Sequence, residues 1–168
     1  MTPTLQGDRV SLRPLTEHDL RAVAAMLAEP AVSRWWGDHD EGRIRSDLLE
    51  DPETDSFAID LDGALAGVLL VAEETDPQYR HAGLDISLAT EYQGRGLGRE
   101  ALRVVIDHLV DERGHHRFTI DPDAENEAAI RCYTAVGFKP VGVLRRYSNV
   151  DGRGWRDGLL MDLLAEDL

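Results

Sequence analysis

The sequence predicts a single domain of the α/β class, in which a central mixed β-sheet carries helices on both faces. Segments with the two-residue alternation of a strand are interspersed with segments of helical spacing along the 168 residues. An Asp62-Gly63 pair between two apolar runs is also a strong signal for a β-hairpin. A chain of this length can bury enough apolar surface for one core.

The first half of the chain contains signals for a strand, two helices and the hairpin. Residues 9–15 alternate between apolar and polar, as in a half-buried strand. Thr16, with Asp19 three residues later, is a loose variant of the capping box, and the helix that follows stops before Pro30. Three further kinds of element follow in order: a helix over about 40–50, strands over 57–61 and 65–71, and a loop over 73–79.

The second half alternates strands with helices and closes on a pair of strands. Apolar residues keep helical spacing from about 98 to 111, and a turn-rich loop covers 148–154. The predicted elements, in order, are a strand over 82–89, the helix over 98–111, a strand over 117–120, a helix over 125–136, and strands over 138–144 and 159–163.

Charge and composition exclude several classes of protein. The chain has 18 basic and 32 acidic residues, a net charge of -14, which argues against nucleic acid and permits a cationic partner. The alternative is that the acidity only aids solubility. Cys132 is the single cysteine, so we expect neither a disulfide nor a cysteine zinc cluster, and no other metal site stands out. The sequence shows no membrane span and no signal peptide, so we expect a cytoplasmic protein.

A glycine-rich turn joins the strand over 82–89 to the helix over 98–111. Glycine lets a backbone turn tightly and approach a ligand, and the free N–H groups at a helix start attract an anion. The turn matches neither the dinucleotide pattern nor the P-loop, and the alternative is an ordinary strand-to-helix connection. The expected cofactor-binding residues are Gln93, Gly94, Arg95, Gly96, Leu97 and Gly98.

A second motif lies on the helix over 125–136. Asn126, Ala129, Ile130 and Tyr133 are spaced to share one helix face, which places an amide and a phenol where a buried face would be apolar. A ligand running along the helix would satisfy both groups. The alternative is that Asn126 caps the helix and Tyr133 packs in the core.

Together the two motifs resemble those of the GCN5-related N-acetyltransferase superfamily. The glycine turn is similar to its Q/R-x-x-G-x-G/A loop, and Asn126, Tyr133 and Gly137-Phe138 are similar to its helix. Residues 9–20 also match its first strand and helix, so the resemblance spans nearly the whole chain. It implies the superfamily fold, acetyl-CoA as the cofactor, and direct transfer of an acetyl group to an amine.

The resemblance also implies roles for individual residues. The loop amides from Gln93 to Gly98 would hold the pyrophosphate, and the backbone at Ser87 and Leu88 would pair with the pantetheine arm. Asn126 would bind the same arm, and Tyr133 would protonate the leaving thiolate.

Local matches narrow the resemblance to aminoglycoside 6'-N-acetyltransferases. They are Val32-x-x-Trp35-Trp36-Gly37, Glu73-Glu74-Thr75-Asp76-Pro77, Gly83-Leu84-Asp85-x-Ser87-Leu88-Ala89, and Thr119-x-Asp121-Pro122-x-x-x-Asn126 running into Ala129-Ile130-Arg131-Cys132-Tyr133. The implied acceptor is an aminoglycoside, and its acetylation would confer antibiotic resistance. The chain departs from this subfamily between Ser148 and Trp155, where the segment is longer and differently composed.

Asp85 is the expected general base or amine anchor. An alkylammonium must lose a proton before it attacks a thioester, and a nearby carboxylate can accept that proton. Asp85 lies mid-strand between Leu84 and Ile86, where a charge is costly unless it is used; the alternative is that it faces solvent. Tyr133 is the expected general acid, with a modest effect, because a thiol has a pKa near 8.5.

Further residues are expected to bind the acceptor. Asp121 ends a strand and would hold an ammonium beside Asp85, unless it serves only the turn or caps the next helix. Aromatic faces suit sugar rings and cations, so Trp35 and Trp36 are candidates for this site; the alternative is that the pair packs in the core or at a domain edge. The acidic loop with Glu73, Glu74 and Asp76 could line the same cleft, although such a segment is more often a solvated loop. Asp157, before the last strand, could add another carboxylate or serve only a turn.

Two other functions stay open. A related acetyltransferase would act on protein N-termini, polyamines or a siderophore lysine. A non-catalytic domain would bind an acyl-CoA as a sensor, although a sensor has no need for both Asp85 and Tyr133. The accepted aminoglycosides, the acyl-chain selectivity and the oligomeric state do not follow from the sequence, although homodimers are common in the family.

Overall fold

The computed structural model describes residues 1–168 and contains one eight-stranded sheet with helices on both faces. The strands are β1 (Leu5–Gln6), β2 (Val10–Pro14), β3 (Thr54–Leu61), β4 (Ala64–Glu74), β5 (His81–Leu88), β6 (Arg117–Ile120), β7 (Lys139–Ser148) and β8 (Arg156–Leu164). Their order across the sheet is β1-β2-β3-β4-β5-β6-β8-β7. Only β5 and β6 are parallel neighbours, so the sheet is mixed.

Five helices cover the sheet and bury one core on each face. They are α1 (Leu20–Leu27), α2 (Pro30–Trp36), α3 (Glu41–Ile44), α4 (Leu97–Asp111) and α5 (Glu127–Val136), and a π-helical turn, Arg45–Leu49, continues α3. Helices α4 and α5 pack on one face around Phe57 and Phe118, whereas α1 to α3 pack on the other around Ala58 and Val68. The fold class expected from the sequence is therefore confirmed. None of these helices has the length and apolar character needed to cross a membrane.

Some elements differ from the sequence-based expectation. Helix α1 ends at Leu27, before Pro30 as expected, but Pro30 then begins a further helix, α2, because a proline at the first helical position loses no hydrogen bond. The expected loop over 73–79 starts too early, since Glu73 and Glu74 continue β4 and pair with Ala82 and His81. The two-residue strand β1 was not expected and pairs with β2.

The parallel pair β5–β6 leaves a gap in the sheet. The two strands are paired only at Ala82 with Phe118 and at Gly83 with Thr119. Beyond these positions the strands diverge, so the edge of β5 that faces β6 is unpaired from Asp85 onward. Because unpaired backbone groups need a partner, this gap is a place for a ligand with an extended backbone.

Candidate active site

A cavity of about 880 Å³ opens at the gap between β5 and β6. It is bounded by β5, the glycine turn, the first turns of α4 and α5, helix α2, and the end of β7. Most of the residues expected to bind a cofactor line it: Ser87, Leu88, Gln93, Gly94, Gly96, Leu97, Gly98, Asn126 and Tyr133.

The glycine turn has the conformation that an anion site requires. Gly94 and Gly96 have φ angles of 72° and 78°, in the left-handed region that residues with a Cβ adopt at a cost. Gly96 is the residue before the first turn of the 15-residue helix α4. The unpaired N–H groups of that turn and the positive end of the helix dipole face the cavity wall formed by Leu97 and Gly98.

Arg9 fixes the position of this turn from a distant part of the sequence. Its Nη1 donates to the carbonyl oxygen of Arg95 at 2.9 Å, and its Nε donates to Oε2 of Glu100 at 2.8 Å. The N–H of Val10 donates to Oε1 of the same glutamate at 3.0 Å. The start of β2 therefore holds the glycine turn and the start of α4 together.

Arg95 is the one residue of the glycine turn that does not line the cavity. Its guanidinium lies 5.7 Å from the centre of the Tyr92 ring, so its side-chain charge is directed away, whereas a role for its backbone amide stays a prediction. Arg99 and Arg131 line the cavity instead. Arg99 could have been found from sequence, because a basic residue in the first turn opposes the helix dipole and therefore calls for an anionic partner.

Asn126 and Tyr133 combine the two roles that the sequence left open. The Oδ1 atom of Asn126 accepts a hydrogen bond from the N–H of Ala129 at 3.2 Å and so caps α5, while the residue also lines the cavity. Tyr133 is only 6% exposed, and its ring packs edge-on against Phe138 at 6.3 Å between centroids. Its hydroxyl makes no hydrogen bond within the protein. Burial, and secondarily the charge of Asp85, raise its pKa well above the usual value, so the phenol stays protonated.

Asp85 lies in β5 where the strands diverge, and its side chain is exposed to the cavity. Its Oδ1 accepts a hydrogen bond from the N–H of Ile86 at 2.9 Å. Protein surrounds the carboxylate on its other sides, and this burial, followed by the negative charge of Asp121, raises its pKa to about 7. Asp85 is therefore close to half-ionised at neutral pH, which suits a general base.

Asp121 lies at the end of β6, in the same cavity, and has no cationic partner. The hydroxyl of Tyr147 donates a hydrogen bond to its Oδ2. This bond, with a smaller effect of burial, raises the pKa of Tyr147 to about 12. Sequence reasoning missed Tyr147, since its approach depends on the register of β7 with β8, for which the sequence carries no local signal.

Two more carboxylates line the cavity, but each is already paired. Asp123 binds the guanidinium of Arg156, and Asp47 lies 3.4 Å from Nε of Arg43. The four carboxylates form what we call the acidic patch, whose members are Asp47, Asp85, Asp121 and Asp123. Its two unpaired members, Asp85 and Asp121, are the ones free to meet a cation.

Trp35 and Trp36 both line the cavity, as expected for an acceptor site. The guanidinium groups of Arg34 and Arg156 lie 4.6 Å and 5.3 Å from the centre of the Trp35 ring, so cations of the protein already use that ring. Trp36 packs partly against the core beneath α1 to α3 and lies 6.4 Å from the His39 ring. Trp36 is therefore the more available of the two aromatic faces.

The structure places the remaining expected acceptor residues outside this cavity. Glu73 binds Arg113 at 3.0 Å near the far end of β4, because the strand continues through it and Glu74. Asp76 accepts a hydrogen bond from the N–H of Gln78 in the following turn. Asp157 also lies outside, since its Oδ1 accepts a hydrogen bond from the backbone N–H of Arg146 at 2.7 Å. The sequence suggested these residues because they are acidic. In the structure their carboxylates form ion pairs or stabilise turns instead.

The cavity fits a long anionic ligand on the grounds of its shape and charge. The unpaired edge of β5 offers backbone groups to an extended chain, and the glycine turn offers N–H groups to phosphates. Arg99 and Arg131, which we call the basic patch, add positive charge to the wall beside that turn. These features fit the cofactor expected from the sequence.

Comparisons with known proteins agree with this fit. The chain matches the acetyltransferase (GNAT) domain family over residues 9–139. It is 33% identical over 162 residues to aminoglycoside N(6')-acetyltransferase type 1 of Klebsiella pneumoniae, covering 84% of this chain and 79% of that protein. It is 30% identical over 158 residues to spermidine N(1)-acetyltransferase of Escherichia coli, covering 90% and 84%.

A solved structure extends the likeness to the whole fold. Mycobacterium smegmatis RimJ, in complex with CoA-disulfide, superposes with a TM-score of 0.83 at 28% identity and covers 99% of this chain and 88% of its own. The family model alone spans more than half of the chain. The protein is therefore a member of the GNAT acetyltransferase family, with acetyl-CoA as its cofactor.

Proposed function

We propose that the protein transfers the acetyl group of acetyl-CoA to the 6'-amine of an aminoglycoside and thereby confers resistance. The observation that carries the proposal is the pair of carboxylates without cationic partners, Asp85 and Asp121, in the cavity that also holds the Tyr133 side chain. Two carboxylates in one cavity favour an acceptor with several ammonium groups. An aminoglycoside has such groups and also presents sugar rings to an aromatic face such as that of Trp36.

The distribution of charge separates the two substrates within one cavity. Arg99 and Arg131 attract the phosphates of the cofactor, whereas Asp85 and Asp121 attract the ammonium groups of the acceptor. The protein has a net charge of -14, so the basic patch is a local exception rather than part of a general trend. This arrangement supports ordered placement of the acceptor amine beside Asp85.

Asp85 is the proposed base. Bound acetyl-CoA supplies a thioester, which only an unprotonated amine attacks. With its pKa raised to about 7, Asp85 accepts the ammonium proton more readily than an ordinary carboxylate does. The N–H of Ile86 holds the carboxylate in place through the bond to Oδ1. The Asp121 carboxylate, which has no cationic partner in the protein, binds the substrate ammonium.

Tyr133 is the proposed acid. Its phenol stays protonated because its pKa lies well above the usual value, and its hydroxyl has no partner within the protein. It can therefore donate a proton to the departing sulfur. The gain is modest, since a thiolate is already a fair leaving group at neutral pH.

A polyamine is the second candidate acceptor, and one observation favours it. The 30% identity to a spermidine N(1)-acetyltransferase covers 90% of this chain, which is as extensive as the likeness to the aminoglycoside enzyme. A linear polyamine uses the same two carboxylates, Asp85 and Asp121, but needs no aromatic face. Loss of the Trp36 ring therefore distinguishes the two acceptors.

The experiment is an assay of thiol release from acetyl-CoA with a panel of acceptors: kanamycin, tobramycin, neomycin, paromomycin, spermidine and an N-terminal peptide. Paromomycin differs from neomycin by a hydroxyl in place of the 6'-amine, so it is the matched control for regiochemistry. Release with neomycin and kanamycin, much weaker release with paromomycin, and a 6'-N-acetyl product by NMR support the proposal.

The other outcomes are equally informative. Release with spermidine alone, undiminished in a Trp36→Ala variant, assigns the protein to polyamines. Release with the peptide alone makes it a protein N-acetyltransferase. CoA binding without release for any amine contradicts catalysis and favours a sensor.

A further inference from the structure

An irregular segment of β7 lies beside the acidic patch. Leu144 pairs with Gly158 and Ser148 pairs with Arg156, so the three residues 145–147 of β7 face the single residue Asp157 of β8. Such a bulge bends its strand and turns side chains away from their regular direction. It also lies next to the segment in which the sequence departs from the aminoglycoside 6'-N-acetyltransferases.

Asp157 stabilises the bulge through a hydrogen bond. Arg146 has a φ of 50°, a left-handed conformation that is unfavourable for a residue with a side chain. Its N–H donates to Oδ1 of Asp157 at 2.7 Å, which stabilises the turned backbone. Asp157 was expected from the sequence to bind the acceptor. In the structure its carboxylate instead stabilises the strand that carries Tyr147.

Tyr147 is the side chain that the bulge redirects. Its ring lies directly over Gly158: a Cβ at that position would stand 2.8 Å from Cδ1 of the tyrosine. Only a glycine leaves room for the ring there. The hydroxyl then reaches across to Asp121 at the end of β6 and donates a hydrogen bond to it.

Asp121 and Asp85 are close enough for the charge of Asp121 to add to the effect of burial in raising the pKa of Asp85. The titratable groups around them come from several elements: Tyr133 from α5, Tyr147 from β7, and, across the same cavity, His39 and Asp47 from the segment around α3. Asp123 lies near the start of α5, where Arg156 neutralises it. Only Asp121 receives a hydroxyl hydrogen bond, whereas Asp85 accepts one backbone N–H.

We infer that Tyr147 is a positioning residue of the acceptor site, whose hydroxyl holds the Asp121 carboxylate where it anchors the acceptor ammonium while Asp85 takes the proton. A hydrogen bond to the charged form of a carboxylate favours that form, and the fixed charge then disfavours ionisation of its neighbour. The bulge, Asp157 and Gly158 are the structural means of placing this hydroxyl. The inference rests on the proposed function for its acceptor, but the hydrogen bond from Tyr147 to Asp121 is present without one.

The first test follows the carboxylates directly. Protein labelled with ¹³C at the aspartate carboxyl groups is titrated by NMR between pH 4 and 10, as wild type and as Tyr147→Phe, with assignments from Asp85→Asn and Asp121→Asn. Phenylalanine keeps the ring over Gly158 and removes only the hydroxyl. Because the hydroxyl donates to the charged form of the Asp121 carboxyl group, we expect the Asp121 resonance to titrate about one pH unit higher in Tyr147→Phe, with little change for Asp85. Identical curves in the two proteins would overturn the inference.

The second test is kinetic and uses whichever amine the enzyme acetylates. In Tyr147→Phe, the acceptor KM at pH 7 rises about tenfold while kcat stays within about twofold of wild type, because the hydroxyl acts on the carboxylate that binds the ammonium and not on the base. Tyr79→Phe, on the exposed loop after β4, is the matched control and leaves both constants unchanged. A loss of kcat with an unchanged acceptor KM would mean a merely structural role.

A third variant removes the hydrogen bond between Tyr147 and Asp121 without changing either residue. Gly158→Ala displaces the Tyr147 ring and should reproduce the NMR shift while the hydroxyl is still present in the chain. Failure of the proposed function is recognised separately: wild-type protein that acetylates no aminoglycoside, yet shows the Tyr147-dependent shift, contradicts the acceptor and upholds the inference. Acetylation of an aminoglycoside without that shift supports the proposed acceptor and contradicts the inference.

Discussion

The backbone N–H of Ile86 donates to Oδ1 of Asp85 at 2.9 Å, and this bond ties the proposed base to the free edge of β5. The bond favours the ionised carboxylate, whereas burial and the charge of Asp121 favour the protonated one. Because the opposing effects leave the pKa at about 7, both forms are available at neutral pH. The pKa of the proposed base is thus set by its position in the same gap that would admit the substrates.

The first prediction concerns the pH dependence of catalysis. Asp85 works as a base only when ionised, so kcat/KM should rise about tenfold per pH unit below pH 7 and level off above it. Asp121→Asn removes the neighbouring negative charge, lowers the pKa of Asp85, and should move this limb to lower pH while weakening acceptor binding. The measurement is kcat/KM from pH 5 to 9 for both proteins.

The acceptor ammonium also titrates, but it does so equally with both proteins, so the difference between their profiles isolates Asp85. Asp76→Asn removes one negative charge in a turn outside the cavity and serves as the control, with its limb in the wild-type position. Coincident limbs for Asp121→Asn and wild type would show that the two carboxylates are not coupled.

The second prediction concerns stability. A carboxyl group whose pKa is raised by folding stabilises the folded protein at low pH, and that contribution is lost as the pH rises from near 4 to about 7. Asp85→Asn keeps a neutral group in its place. The variant should therefore unfold at a higher temperature than wild type at pH 8, by about 2–5 °C, with little difference at pH 4. Thermal unfolding followed by circular dichroism tests it, and an equal difference at both pH values would contradict it.

The third prediction concerns Tyr133. Replacement by phenylalanine keeps the packing against Phe138 and removes the hydroxyl, so kcat should fall about tenfold while the Kd for CoA stays within about twofold. No basic limb from Tyr133 is expected below pH 10, because its pKa lies well above that of an ordinary tyrosine. Turnover at the wild-type rate would remove the residue from the mechanism.

The fourth prediction separates Arg99 from Arg95. Arg99 lines the cavity, so Arg99→Gln should raise the KM for acetyl-CoA about tenfold, with a weaker dependence on salt than in wild type. Arg95→Gln removes the same charge from the neighbouring turn, but its side chain lies over Tyr92, and the KM should change less than about twofold. Equal effects of the two substitutions would mean that net charge, rather than contact, governs cofactor binding.

The fifth prediction concerns the glycine turn. Gly96→Ala places a Cβ in a backbone with a φ of 78° and 3.3 Å from Nη2 of Arg9, so it should destabilise the protein by about 1 kcal/mol and raise the KM for acetyl-CoA. Gly63→Ala is the matched control, since its φ is 81° and nothing lies within 4 Å of the added Cβ. It should lose similar stability in urea unfolding with no change in KM. A normal KM in both variants would exclude the turn from the cofactor site.

The parts of the fold that the sequence predicted are those decided by local physics. Asp62 and Gly63 have φ angles of 51° and 81°, as the hairpin signal requires, and the strands on either side follow from it. Helix α4 begins beside the glycines that mark its start. Such features depend on a few neighbouring residues, so they can be read without knowledge of the rest of the chain.

The parts that escaped prediction depend on contacts between distant segments. The glycine turn is held in part by Arg9, which lies 86 positions before Arg95 and binds its carbonyl. Tyr147 reaches Asp121 only because the register of β7 slips against β8. Glu73 has a charge and a position that suited an acceptor loop, but it belongs to an extended strand and pairs with Arg113.

The two residue pairs that join β5 to β6 have a consequence for how the protein fluctuates. The strands β1 to β5 and the strands β6 to β8 are connected across the sheet by little backbone hydrogen bonding, although both groups pack on the apolar core beneath α4 and α5. A cofactor that fills the gap would bridge the two groups, and the amide protons of β5 beside it should then exchange with solvent more slowly. Cofactor binding would thus strengthen the weakest connection in the sheet as well as supply the acetyl group.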